Sequence, residues 1–194
     1  MNMLERARLI LLQEAEAITS LALDERFEQA VNALLTCRGK VFTTGVGKAG
    51  HVAQKAASTF STTGTPSVFL HPAESSHGDV GVVAEGDVLI CFSNSGGTRE
   101  VVETVHFCRH LNICTVITIC ASEASPLGEE SDIVLPIGRI QEACPLGLTP
   151  SASTAVMIAL SDALALTVMA ERGFTKEDFA LRHHGGYLGK KSRE

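Results

Sequence analysis

From residue 4 to residue 35 apolar side chains recur at three- and four-residue spacing (Leu4, Ala7, Leu11, Ala15, Ile18), the period of an amphipathic helix. Thr19-Ser20 breaks that run into two helices. Residues 40–44 then read as a short strand cut off by Gly45-Val46-Gly47, and residues 48–62 as a helix stopped by Thr63-Gly64-Thr65-Pro66. Further strands are predicted over 67–70, 87–92, 114–119 and 132–136, with helical segments over 98–111 and around 125–130.

These strands carry Val, Ile, Leu and Cys at both alternating positions, so both of their faces are expected to be buried. Buried strands alternating with helices predict an α/β fold: a doubly wound αβα sandwich with a five-stranded parallel sheet. Residues 151–172 form a helix that is apolar almost all round. Such a helix must be covered on several sides, by the chain's own core or by another subunit. No repeat, linker or low-complexity tract divides the 194 residues, which fit one domain.

Composition narrows the function. A net charge of −6 without a basic block argues against nucleic acid, and the absence of Trp with a single Tyr argues against stacking on single strands. No unbroken apolar run of about eighteen residues is present, so no membrane span is expected. The charged start Glu5-Arg6-Ala7-Arg8 does not resemble a signal peptide. The six cysteines contain no CxxC pair and sit mostly in apolar runs, which fits reduced thiols in the cytoplasm.

In an open parallel sheet, ligands collect beyond the carboxyl ends of the strands. Three loops there carry suggestive chemistry. Gly45-Val46-Gly47-Lys48-Ala49-Gly50 satisfies GxGxxG, but strand two ends Phe69-Leu70-His71 without the ribose-binding acid a dinucleotide site needs. It is either a structural turn with a solvated lysine or a glycine turn that admits a ligand beside Lys48. Ser93-Asn94-Ser95-Gly96-Gly97-Thr98 runs from a buried strand into a helix start, where free N–H groups and the dipole favour an anion. Its Ser93, Asn94, Ser95 and Thr98 offer more polar valence than an ordinary N-cap requires, and phosphate binding is expected there. Glu100 lies in that helix's first turn, as a dipole-complementing acid or a functional one.

The third loop, His71-Pro72-Ala73-Glu74-Ser75-Ser76-His77-Gly78-Asp79, lacks a tight metal-ligand spacing, and the polar lining of a sugar site, with His77, fits it as well. Two more features stand outside these loops. Glu142 precedes a turn restricted by Pro145, and His183 lies in Arg182-His183-His184-Gly185-Gly186 after an amphipathic stretch over 176–181. Each is either solvated or an acid/base group.

Together, Gly45-Val-Gly-Lys-Ala-Gly-His, His71-Pro-Ala-Glu-Ser-Ser-His-Gly-Asp, Ser93-Asn-Ser-Gly, Glu142-Ala-Cys-Pro-Leu-Gly-Leu-Thr-Pro and Gly173-Phe-Thr-Lys-Glu-Asp-Phe-Ala-Leu resemble the sugar isomerase (SIS) domain. More narrowly, they resemble the KpsF/GutQ type of D-arabinose-5-phosphate isomerase, over residues 40–190. The resemblance implies a flavodoxin-like sheet and interconversion of D-ribulose 5-phosphate and D-arabinose 5-phosphate, supplying 3-deoxy-D-manno-octulosonate for lipopolysaccharide or capsule. It implies a homotetramer with active sites shared between subunits. It places the catalytic residues on Lys48, Glu100, Glu142 and His183; substrate or phosphate binding is expected of Gly45, Gly47, His77, Ser93, Asn94, Ser95 and Thr98.

The family commonly adds two CBS modules, and none is expected within these 194 residues. Ala49, Gly97 and His184 replace the family's common Ser, Glu and Pro. Chemically, Glu142 suits the carbon base, His183 the oxygens and Lys48 the oxyanion, with Glu100 orienting; the first, second and last of these roles are interchangeable on sequence. No metal and no cofactor is expected. The alternatives are a non-catalytic phosphosugar-binding regulator and a dinucleotide-dependent oxidoreductase.

Overall fold

The structure is a computed structural model describing residues 1–113 and 115–193. Two helices open the chain, α1 (Met3–Thr19) and α2 (Glu25–Thr36). Asn2 and Glu5 start α1 with a reciprocal capping box, and the Asp24 carboxylate accepts from the Arg26 N–H to start α2. There follow β1 (Val41–Gly45), α3 (Gly47–Thr62), β2 (Ser67–Phe69), α4 (Pro72–Ser75), a 3-10 turn (Asp79–Val82), β3 (Val88–Phe92) and α5 (Arg99–His110). The chain continues through β4 (Thr115–Cys120), α6 (Pro126–Glu129), β5 (Ile133–Pro136), α7 (Ala152–Glu171), α8 (Lys176–Arg182) and α9 (Gly186–Lys191). Cys114, the first residue of the predicted 114–119 strand, lies outside the described residues.

The five strands are all parallel in the order β2-β1-β3-β4-β5, which is the doubly wound sandwich expected. Alternate side chains feed two cores. Val41, Val88, Ile90, Phe92, Ile117 and Ile119 pack on one face with Leu34 of α2, Phe60 of α3 and Leu160 of α7. Phe42, Leu89, Cys91 and Val116 pack on the other with Val101, Val105 and Cys108 of α5. Two-sided burial holds for β1 and β3 but not for β2, where Val68 is exposed and its neighbours are half-buried. β2 lies at one edge of the sheet and is only three residues long.

α7 is long and apolar enough to cross a membrane on length and composition alone, a property that an unbroken-run criterion misses. Here it is a core helix: Val156, Met157, Leu160, Leu164, Ala165 and Val168 are buried against α1, α2 and α3. Its other side is less covered by the chain, leaving Ala159 and Met169 half-buried and Leu166 exposed. Of the two expectations for this helix, the chain's own core covers one side, and the other side presents an apolar surface.

Candidate active site

The chain order reverses beside β1, so the crevice beyond β1 and β3 is the switch point at which such sheets take ligands. Gly45 and Phe92 end their strands side by side. A Cβ at Gly45 would stand 3.0 Å from the backbone of Ala49 and from the Phe92 carbonyl, so only glycine lets α3 turn back so tightly. Gly47 follows with φ +60, the left-handed conformation, and open space around it. α3 thus begins at the rim with no side chain capping it, and Lys48 is exposed in its first turn.

The serine loop is built differently from an ordinary cap. Thr98 occupies the N-cap of α5, yet its hydroxyl makes no capping bond; it pairs with the Ser93 hydroxyl at 2.9 Å. Ser93 is buried and accepts from the Gly96 N–H at 3.1 Å, while the exposed Ser95 hydroxyl accepts from the Gly97 N–H at 3.1 Å. The hydroxyls shape the loop and leave the start of a twelve-residue helix without a side-chain cap, facing the rim. Asn94 is exposed and its carbonyl accepts from Ala121, tying this loop to the one after β4. Glu100 is exposed in the same first turn.

α7 receives the opposite treatment. Its N-cap Ser151 makes no capping bond of its own. The Glu142 carboxylate closes that end from outside, Oε2 accepting from the Ser151 N–H (2.8 Å), the Ser151 hydroxyl (3.2 Å) and the Ser153 N–H (3.3 Å). Glu142 is only 9% exposed. Burial raises its pKa, but hydrogen bonds from Ser153 and Ser151 outweigh that and hold it below the usual carboxylate value, so it is ionised at neutral pH.

α3 and α7 run side by side in the same direction. Lys55, midway along α3, pairs with Asp162, midway along α7. Arg172, just past α7, donates to the Gly64 carbonyl (3.2 Å) and the Thr65 hydroxyl (2.8 Å), just past α3. Their starts therefore share the carboxyl edge of the sheet. Lys48, Glu100 and Glu142 all stand at that rim, together with the turn through Gly45 and Gly47 and the loop from Ser93 to Thr98. His77, exposed between α4 and the 3-10 turn, follows β2 at the same edge.

His183 is not brought to that rim within one chain. After α7 the Phe174 ring lies against Gly64, and the Arg182 guanidinium sits 5.0 Å over that ring. α3 is sixteen residues, about 24 Å long, and His183, following Arg182, stands toward the end of it remote from Lys48. It is the C-cap of α8, stacked 3.8 Å from Phe179, with Nδ1 3.2 Å from the Phe179 carbonyl.

The sequence reading missed two features here. Ser151, the residue that grips Glu142, looks in sequence like a plain helix start. Cys144 is half-exposed rather than buried, and N–H groups of Thr149 and Leu148 donate to its Sγ at 3.2 Å each, lowering the thiol to about 7. Pro145 and Gly147, which form the turn, were the available signal for that geometry. Among the described residues no three His, Cys, Asp or Glu side chains gather as metal ligands.

Fold and rim together define a doubly wound α/β domain whose β1/β3 switch point lies between two helix starts without side-chain caps. The chain belongs to the SIS domain family, whose model matches residues 34–167. It is 44% identical over 180 residues to the arabinose 5-phosphate isomerase KdsD of Pseudomonas aeruginosa, covering 92% of this chain and 55% of that protein. Against KdsD of Escherichia coli K12 it is 43% identical over 169 residues, covering 87% of this chain and 51% of that protein. The chain thus spans about half the length of the curated relatives it matches.

Among solved structures, a candidate phosphosugar isomerase involved in capsule formation from Bacteroides fragilis superposes with a TM-score of 0.93 at 42% identity. That match covers 96% of this chain and all (100%) of that one. A protein of E. coli CFT073 in complex with arabinose 5-phosphate superposes at 0.90 and 37% identity, covering 94% of this chain and 100% of that one.

Proposed function

We propose that this chain is an aldose–ketose isomerase that interconverts D-ribulose 5-phosphate and D-arabinose 5-phosphate through an enediolate. The observation that carries this reading is the buried, ionised Glu142 carboxylate at the rim that also holds Lys48 and the serine loop. The identity with KdsD isomerases and the match to a complex with arabinose 5-phosphate support it.

The sugar's phosphate sits against the Ser93–Thr98 loop and the start of α5, where N–H groups and hydroxyls stand in for an arginine clamp. His77, Gly45 and Gly47 line the approach. Glu142 takes the C1 proton of the ketose and returns it to C2. His183 moves the hydroxyl proton from O1 to O2, so protons and charge balance at the end of the turnover. Lys48 offsets the oxyanion and Glu100 orients the reacting hydroxyls. The face from which Glu142 delivers its proton to C2 sets the arabino over the ribo configuration.

His183 reaches this rim from a neighbouring subunit of a homotetramer, since its own chain holds it toward the far end of α3. Exposed apolar residues on α1 (Met3, Leu4, Leu11, Leu12) and Leu166 of α7 supply surface for that assembly. The enzyme acts in the cytoplasm, and its product feeds 3-deoxy-D-manno-octulosonate synthesis for lipopolysaccharide or capsule. A non-catalytic sensor would have no use for a buried carboxylate held ionised at its ligand crevice.

Incubation of the purified protein with D-ribulose 5-phosphate tests this, with D-arabinose 5-phosphate quantified by chromatography. Catalytic appearance of the aldose is expected; none at high enzyme concentration overturns the reading.

A further inference from the structure

The way Glu142 is held singles out a residue that does no chemistry itself. A free carboxylate has two equivalent oxygens, and its terminal torsion is broad and roughly two-fold. Glu142 has lost that equivalence. All three of its hydrogen bonds fall on Oε2, two of them from Ser151, while Oε1 is buried and accepts none from any described residue. The Ser151 hydroxyl also accepts from the Ala143 N–H at 3.1 Å, so one oxygen ties the carboxylate to the backbone beside it. Because an ionised carboxylate can only accept, the hydroxyl's single proton is directed to Oε2. The Ser153 hydroxyl lies near enough to favour the carboxylate's charge, yet the residue is 1% exposed and its hydroxyl completes no hydrogen bond among the described residues.

We propose that Ser151 is a positioning residue for Glu142: it binds the carboxylate through Oε2 and so fixes the orientation of the group that exchanges a proton with the sugar carbon. This deepens the isomerase reading above and rests on it. A base held in one orientation presents a fixed geometry to C1 and C2, which is the positional contribution that raises turnover without tightening substrate binding. The same bonds oppose the effect of burial, keeping the base charged. Of the other ionisable groups near this helix start, Lys48 stands on α3 at the shared edge, Cys144 in the same loop, and the Lys55–Asp162 pair about halfway down the two helices.

The test compares Ser151→Ala, Ser151→Cys and Ser151→Thr with the unaltered protein. One readout is the pH dependence of kcat. The other is titration of the Glu142 carboxyl by carbon NMR on glutamate-labelled protein, its resonance assigned with Glu142→Gln. Losing a hydrogen bond to a charged group is expected to cut kcat by about tenfold or more, with KM within about twofold. It also moves both the acid limb of kcat and the carboxyl resonance to higher pH, and Ser151→Thr restores both. Ser151→Cys, close in size but a weak donor, repeats the Ala result and decides the matter if Ser151→Ala does not fold. An unchanged kcat, or a loss of activity without movement of the Glu142 titration, overturns the inference. If the unaltered protein does not isomerise the sugar, the functional reading fails, while the titration still decides whether Ser151 holds Glu142.

Discussion

The loop between β5 and α7 and the segment from Thr175 to Lys191 each carry a candidate acid/base residue, and they are built on opposite principles. Glu142 is buried, capped onto a twenty-residue core helix and tied to its own backbone through Ser151. His183 is half-buried and rests on local contacts: a stack on Phe179, a capping box between Thr175 and Asp178, and Phe174 against Gly64. Leu181, Tyr187 and Leu188 around it are exposed, and α8 and α9 pack only lightly on the body. The contrast separates a group positioned by the fold from one positioned by a short lever.

The largest effect breaks the first side of that contrast. Glu142→Gln keeps an oxygen to accept from Ser151 but removes the basic one. kcat is expected to fall by about 10²–10⁴-fold with KM little changed, as for loss of a positioned general base. Near-full turnover in steady-state assays would remove Glu142 from the mechanism. In the unaltered protein, because the folded carboxyl titrates below its ordinary value of 4.5, isomerase activity is expected to persist to unusually low pH. The stability this ionisation contributes is present above the unfolded value and is lost as pH falls through the folded one.

The second side is broken by subunit mixing. His183→Ala and Glu142→Gln homomers should each lose about 10²-fold or more. If the imidazole is supplied across an interface, unfolding and refolding the two together restores activity toward a quarter of the unaltered level, since some sites then contain both intact residues. A mixture no more active than its parents would place both groups in one subunit.

What sequence revealed follows the same division. β1, β3 and β4 were legible because buried parallel strands write continuous apolar runs, as in Val88-Leu89-Ile90-Cys91. The exposed Val68 was not, because the covering of a three-residue edge strand depends on tertiary neighbours and not on its own residues. The positions of Lys48 and Glu100 at helix starts were legible from Gly45, Gly47 and the serine loop, whose turn chemistry is local. The grip on Glu142 was not, since Ser151 lies nine residues on and meets it only because the loop folds back on α7. That Thr98 pairs with Ser93 instead of capping α5 was equally hidden: both outcomes use the same residues.

A smaller effect sharpens the contrast at the anion end. Ser95 is exposed, and among the described residues its hydroxyl accepts only from the Gly97 N–H, so it shapes the loop without anchoring the fold. Ser95→Ala is expected to raise KM several-fold, in line with loss of about one hydrogen bond, and to leave kcat within about twofold. The thermal midpoint should stay put. An unaltered KM would move the phosphate away from this turn.

The smallest effect acts on the lever alone. The Thr175 hydroxyl accepts from the Asp178 N–H at 3.1 Å, and the Asp178 carboxylate accepts from the Thr175 N–H at 3.0 Å, so the start of α8 is closed from both sides. Thr175→Ala removes one half of that closure, a change of about 1 kcal/mol at a helix start. Because α8 barely touches the core, the cost should appear as local opening: faster amide exchange over 176–182 with the global unfolding midpoint unmoved. Activity should fall by only a few-fold, through a smaller population of correctly held His183, and a Thr175→Ser change should recover it. Lowering the pH acts in the same direction, because hydrogen bonds from Thr175 hold the Asp178 carboxyl below its usual value and that support disappears as the acid protonates. If Thr175→Ala instead lowered the global midpoint as well as activity, α8 would be part of the core rather than a lever, and the two regions would differ only in degree.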